Sequence, residues 1–361
     1  MTATFGEKIK FTIFGESHGL AIGCVIDGLP PGTELNLEAV KAEMQRRAPG
    51  KSRLATARQE KDAFVIQSGF FEGRATGTPM CVLIPNSDQH SGDYSKLQNV
   101  VRPGHADYSG KVKYHGFNDY RGGGHFSGRL TAPLVFMGAV AKQILAKRGV
   151  SIGAHIAAVA GVKDKPFNPL GERAELFTEL VQKAFPVLDD AAGEAMQQKI
   201  LTAKAECDSV GGVIECMAIN MPAGVGSPFF DSLESRLAHA LFSVPAVKGI
   251  EFGKGFALTE MHGSEANDQM HYEDGKVKTY TNNNGGITGG ITNGMPVLLR
   301  VAIKPTPSIA KAQKTVDLST KTDTELAIAG RHDPCIVQRA VPVIEGVTAW
   351  VLLDMLLAGE N

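Results

Sequence analysis

The sequence predicts a mixed α/β (α+β) fold in one domain, and three observations carry that expectation. Segments of strand and helix periodicity intermingle without the strand–helix–strand rhythm of a parallel sheet. No low-complexity linker or long internal repeat divides the 361 residues. Apolar residues make up 43% of the chain, enough for a sizeable core.

Taken in order, residues 8–14 and 21–26 read as short strands around the polar turn Gly15-Glu16-Ser17-His18-Gly19. Asn36 reads as an N-cap, with Leu37, Val40 and Met44 at helical spacing up to Arg47. Residues 63–67 and 80–84 read as strands. The stretch 85–126 is glycine-rich and polar, and a loop of that length is expected to be functional. Residues 130–147 predict a helix with Leu134, Gly138, Ala141 and Leu145 on one face. A strand over 152–162, a helix over 191–207, a strand over 212–221 and an amphipathic helix over 232–242 follow. A second polar loop (262–294), a strand over 296–304 and a helix over 341–357 complete the pattern.

A net charge of −1 argues against a nucleic-acid partner. Five cysteines, none at C-x-x-C spacing, argue against a disulfide framework or zinc site and fit a reducing cytoplasm. Residues 1–10 contain no apolar stretch, so no signal peptide is expected. The apolar segments 132–141 and 347–358 read as too short or, at Asp354, too interrupted to cross a bilayer. The 41 glycines cluster in polar loops, where backbone N–H groups can approach a ligand closely. No G-x-G-x-x-G, H-E-x-x-H or G-x-S-x-G string occurs, and Gly50-Lys51-Ser52 lacks the earlier glycine of a P-loop, Gln45 standing there.

Six strings could carry chemistry. In the first turn, glycines at both ends would leave the His18 ring accessible; an ordinary turn is the plainer reading. In Arg102-Pro103-Gly104-His105-Ala106-Asp107-Tyr108, Arg102 offers a fork for an anion, His105 a proton near neutral pH, and Asp107 a carboxylate to orient the imidazole. A surface ion pair is equally compatible. Arg46, Arg47, Arg53 and Arg58, with Arg121 and Arg129 around Gly122-Gly123-Gly124-His125-Phe126-Ser127-Gly128, suit the grip of a small polyanion. For Arg46 a solvated helix end is the better reading. Asn282-Asn283-Asn284-Gly285-Gly286-Ile287-Thr288-Gly289-Gly290-Ile291 reads as a donor-rich loop or a tight multiple turn. Lys304-Pro305-Thr306-Pro307-Ser308 and Gly330-Arg331-His332-Asp333-Pro334-Cys335 complete the set.

In this order, and joined by Asp208-Ser209-Val210-Gly211-Gly212, Val244-Pro245-Ala246-Val247-Lys248-Gly249 and Gly263-Ser264-Glu265-Ala266-Asn267-Asp268, the strings closely resemble the chorismate synthase family from end to end. The resemblance implies a single-domain β-α-β sandwich with long functional loops. It implies a lyase that removes phosphate from 5-enolpyruvylshikimate 3-phosphate by 1,4-elimination, with reduced FMN (FMNH2) as cofactor and no net redox change. His18, His105 and Asp333 are then the catalytic residues. His18 protonates the flavin or holds its charge, His105 protonates the leaving phosphate, and Asp333 acts with the flavin in moving the substrate proton. Arg47, Arg53, Arg102, Arg129 and Ser17 bind substrate or phosphate. Flavin contacts fall to His125, Phe126, Ser127, Ala246, Gly289, Lys304, Pro305, Thr306, Pro307, Ser308 and Arg331. No metal is implied. Where the family commonly has Arg-Ser-Ser-Ala-Arg-Glu, this chain has His125-Phe126-Ser127-Gly128-Arg129-Leu130, and Gln59 stands where an arginine is common. A cytoplasmic homotetramer supplied by an external flavin reductase is expected, rather than a bifunctional form that also oxidises NADPH or a flavin-binding sensor.

Overall fold

The computed structural model describes residues 3–50, 54, 60–87, 97–328 and 333–360. Arg53, Arg58 and Arg331 lie outside the described residues.

Two antiparallel five-stranded sheets enclose a layer of helices. In the first, the strands run in the order Thr4–Phe5, Lys10–Gly15, Ala21–Asp27, Met80–Pro85, Val65–Ile66. In the second, the order is Val247–Phe252, Val297–Ile303, Gly212–Ile219, Ser151–Val159, Val162–Lys163. Between them lie the helices Thr131–Ala146 and Val337–Ala358, flanked by Leu37–Arg47. This is the mixed α+β sandwich that the sequence predicts.

The two central helices are apolar almost all round, as befits helices buried on every side. They cross at Gly138 and Gly346, where a Cβ on Gly138 would stand 2.1 Å from the Cα of Gly346. Glycine in a helix interior costs about 0.5–1 kcal/mol, and here it permits backbone contact that any side chain would prevent. Both helices are long and apolar enough to cross a membrane, contrary to the sequence expectation, yet both are packed in the core.

Charge inside the layer is paired. Glu345, buried in mid-helix, accepts from Arg46 Nη1 at 2.7 Å and Nη2 at 3.0 Å, from Lys142, and from the backbone N–H of Ala154 at 3.1 Å. Burial pushes its carboxyl up, but Arg46 and Lys142 outweigh burial and hold it below the usual carboxylate range. Arg46 is therefore not a solvated helix end; it is a core ion-pair partner. Asp354 accepts from the backbone N–H groups of Glu7, Lys8 and Ile9 at 2.8–3.0 Å and pairs with Arg236 at 3.2 Å.

Local expectations mostly hold. Asn36 caps its helix, Oδ1 accepting from Glu38 and Ala39 at 3.0 and 3.1 Å. The strand expected over 152–162 is split by a turn with positive φ at Ala160 and Gly161. The loop 85–126 contains the helix Asp107–Lys113, and the sequence reading passed over the helix Ala174–Gln182.

Candidate active site

A cavity of about 1160 Å³ opens between the sheets, larger than the ~300–1,000 Å³ typical of a single small-molecule site. Its wall is built from the end of the helix Leu37–Arg47, the 102–106 turn, the 122–130 segment, the 244–248 turn, residues 304 and 306–308, Asp333, and the first turns of the last helix.

The 102–107 string folds into one cluster. Arg102 forks onto Asp107, Nε to Oδ2 at 2.7 Å and Nη2 to Oδ1 at 2.8 Å. His105 Nδ1 stands 2.6 Å from Asp107 Oδ1 and 3.1 Å from Arg102 Nη2. Nδ1 cannot both donate and accept. The shorter, charge-assisted contact fixes Nδ1–H on the carboxylate side. Nε2 is then the nitrogen left for a ligand, and it makes no hydrogen bond to the described residues. Burial pushes the Asp107 carboxyl up, yet bonds from Arg102 and His105 hold it well below the usual range, so Asp107 stays ionised. Arg102 also reaches Ser308 Oγ at 3.3 Å, which ties this turn to the 304–308 segment.

A glycine turn separates the two histidines. Gly122, Gly123 and Gly124 all have positive φ. A Cβ on Gly122 would meet the His18 ring at 2.1 Å, and one on Gly123 would meet the His105 ring at 3.1 Å. Only glycine leaves room for an imidazole on each side of this turn. His18 is accordingly not the accessible ring the flanking glycines suggested. It is 5% exposed, with Nδ1 3.2 Å from Ser17 Oγ, and it stands behind the turn, outside the cavity wall. Ser17 is fully buried and donates to Arg121 O at 3.3 Å.

Arg47 and Arg129 both line the cavity and share Asp62. Arg47 Nε donates to Oδ2 at 2.8 Å and Nη1 to Thr131 Oγ1 at 3.2 Å. Arg129 donates to Asp62 Oδ1, to Asn86 Oδ1 at 2.9 Å and to Pro85 O at 3.1 Å. His125 Nδ1 donates to Gly15 O at 2.9 Å, Phe126 packs on Gly110, and Ser127 Oγ accepts from Arg129 N at 3.3 Å.

Elsewhere on the wall Ala246 has φ 74°, a left-handed conformation that costs energy for any residue with a side chain. Its carbonyl accepts from Lys304 N at 2.9 Å, and Lys304 Nζ reaches Gly104 O. Burial and the neighbouring Lys248 both press the Lys304 ammonium below its ordinary value. The Thr306 hydroxyl is buried with no hydrogen-bond partner among the described residues, an unusual cost unless a ligand completes it. Asp333 joins the wall and pairs with Arg339 at 2.5 Å.

The cavity thus unites Arg47, Arg102, His105, His125, Phe126, Ser127, Arg129, Ala246, Lys304, Thr306, Pro307, Ser308 and Asp333. Pro305 does not line it, and Gly289 is exposed elsewhere. The Asn/Gly loop is fastened to other segments of the fold: Asn282 Nδ2 donates to Pro169 O and Pro296 O at 2.9 Å, and Asp268 accepts from Asn283 N and Asn284 N. The sequence reading missed Lys248 and Arg339. Lys248 was legible beside Ala246; Arg339 was hidden inside a helix.

Comparisons with known proteins agree with one another. A family model described as chorismate synthase matches residues 9–357. The chorismate synthase of Thermococcus gammatolerans is 50% identical over 353 residues, covering 98% of this chain and 97% of that protein. That of Pyrococcus abyssi is 48% identical with the same coverage. A crystal structure of a chorismate synthase superposes with a TM-score of 0.77 at 28% identity, covering 98% of this chain and 93% of that one.

Proposed function

The chain belongs to the chorismate synthase family of carbon–oxygen lyases in the shikimate pathway, and we propose that its cavity binds reduced FMN beside 5-enolpyruvylshikimate 3-phosphate and eliminates the phosphate. The observation that carries this reading is the Arg102–His105–Asp107 cluster. It sets an imidazole with one uncommitted nitrogen beside guanidinium groups in a cavity large enough for two ligands.

A substrate with two carboxylates and a phosphate needs several charge-assisted partners when it leaves water. Arg47, Arg102 and Arg129 supply them, together with Arg53 outside the described residues. Lys248 and Lys304 add positive charge along the same cavity wall. His105, as the imidazolium with its Nδ1–H held by Asp107, gives its Nε2 proton to the departing phosphate oxygen and is left as the Nδ1–H tautomer. Asp333 accepts a proton in the course of the elimination. His18 keeps its proposed role toward the flavin without support from the cavity wall, since it is buried behind Gly122. Asp107 does not titrate in this scheme; it holds the imidazole in one tautomer.

The residues present fit a flavin. The unpartnered Thr306 hydroxyl, the strained Ala246 carbonyl turn and the cationic Lys304 form one wall, and His125, Phe126 and Ser127 form another. These side chains, with Pro307 and Ser308, would hold it; Pro305, Gly289 and Arg331 complete the proposed contacts without support from the cavity wall. When bound, reduced FMN supplies transient electron density that lets the phosphate depart. His125 carries positive charge only when protonated, so it substitutes in part for the arginine common at that position.

The core runs without interruption through both sheets and the helix layer, which supports one domain. A cytoplasmic homotetramer is part of the proposal; the exposed Phe229, Phe230 and Phe256 are the kind of surface that assembly covers. Flavin reduction by a separate reductase is likewise proposed. An anaerobic assay with photoreduced FMN tests the core of the reading. Phosphate release should require the reduced flavin, and equal release without it would overturn the proposal.

A further inference from the structure

Arg339 stands in the first turn of the helix Val337–Ala358 and lines the cavity. Its Nη1 donates to Asp333 Oδ2 at 2.5 Å, and its Nε donates to the backbone carbonyl of Arg47 at 3.0 Å. Those two acceptors belong to segments far apart in the chain. The Arg47 side chain in turn grips Asp62, which Arg129 also grips. One guanidinium therefore links the Asp333 carboxylate to the pair of buried arginines across the cavity wall.

Several features make this link rigid. Guanidinium is planar and permanently charged, and its five N–H groups point in fixed directions. The side chains of Arg339 and Asp333 are only 21% and 12% exposed, so water competes weakly for their bond. An ammonium in the same place could reach either acceptor as a point charge but could not hold both in one plane.

We propose that Arg339 is a positioning residue: it fixes the Asp333 carboxylate in register with Arg47 and Arg129, so that the proton acceptor and the anion-binding groups keep one spacing. The inference rests on the reading of Asp333 as a proton-transfer group. Misplacing such a group by about 1 Å can cost on the order of 10²-fold in rate.

The experiment is a double-mutant cycle under reduced flavin, with Arg339→Ala, Arg339→Lys, Asp333→Asn and the combined Arg339→Ala/Asp333→Asn variant. Both Arg339 variants should lose roughly 10–100-fold in kcat, the range seen when a supporting partner is removed, with substrate KM little changed. Millimolar guanidinium ion should restore part of the turnover of Arg339→Ala and none of that of Asp333→Asn. The combined variant should be no slower than Asp333→Asn alone. If Asp333→Asn is slow and the Arg339 loss multiplies onto it, the inference fails while the reading of Asp333 stands. A raised KM with unchanged kcat in the Arg339 variants would make Arg339 a substrate contact and also overturn the inference. Near-normal turnover of Asp333→Asn would overturn the reading of Asp333 itself. Should Arg339→Ala not fold, the same cycle run with Arg339→Lys reads the same coupling.

Discussion

Among the described residues, His105 and His155 are each held by carboxylates, in opposite circumstances. His105 stands at the cavity wall with Nδ1 on Asp107 at 2.6 Å, and its other nitrogen faces no described partner. His155 lies in the second sheet, fully buried, with Nδ1 2.9 Å from Asp164 and Nε2 3.1 Å from Glu215. Asp164 also accepts from the backbone N–H groups of Leu188 and Asp189, and Glu215 from that of Phe167. The residue types are alike; the second nitrogen differs. A ring bonded at both ends cannot pass a proton to a ligand, so His155 fastens the 164–189 segment to the sheet. A ring bonded at one end can be aimed and still react.

The sharpest test is to remove each ring in turn. His105→Ala should lower kcat by about 10²–10⁴, the usual worth of a general acid, while thermal stability stays near that of the parent. His115→Ala, in the same stretch of chain but outside the cavity wall, should change kcat by less than a few-fold. Comparable small effects from both would dissolve the distinction.

The complementary change falls on stability. His155→Ala removes the cation that Asp164 and Glu215 share, leaving Glu215 only Arg300 at 3.3 Å, and such breaks cost about 3–5 kcal/mol. Denaturant unfolding should show the loss, while kcat per folded molecule stays within about two-fold of the parent. A collapse of kcat in folded protein would mean that the second sheet communicates with the cavity.

A smaller effect concerns pH. Burial presses the His155 imidazolium down, but its bonds to Asp164 and Glu215 outweigh burial and raise its pKa. The stabilisation is therefore fully present below the unfolded histidine value of about 6.5 and is lost as pH rises through the raised value. For Asp164 and Glu215 the sign reverses: burial raises each, their hydrogen bonds win, and both are depressed. Their contribution is present above the unfolded carboxylate values of about 4 and disappears as pH falls through the depressed ones. Unfolding midpoints at pH 5.5 and 9 should show the parent's advantage over His155→Gln to be larger at pH 5.5. An advantage that grows toward pH 9 would contradict the assignment of His155 as a buried cation.

The contrast also explains what was legible in the sequence. The Arg102–Asp107 cluster is local, so its parts appear as one string and the carboxylate's orienting role could be read from spacing. His155 and Glu215 are 60 residues apart and meet only because two strands pair in register. The fold class and the long core helix were legible because periodicity and apolarity agree there. The sequence reads as a last helix over 341–357, but the helix starts at Val337 and continues through Pro342. Arg339 was invisible for the same reason, lying in that unread first turn. The asparagines of the 282–284 run read as ligand donors because their real acceptors, Pro169 and Pro296 carbonyls among them, come from other segments.

The Asp354 carboxylate gathers three N–H groups from residues 7–9, and Trp350 Nε1 donates to the Ile9 carbonyl at 3.1 Å. The bond from Ile9 to Asp354 spans 345 positions of sequence. At a synthesis rate of roughly 5–20 residues per second, the partner of this turn is made some tens of seconds after the turn itself. The helix Thr131–Ala146, which packs on the strands Ala21–Asp27 and Met80–Pro85, has emerged well before then. What waits for the last helix is the edge of the first sheet, where Phe5 and Phe11 pack on Trp350 and the turn at residues 7–9 closes on Asp354.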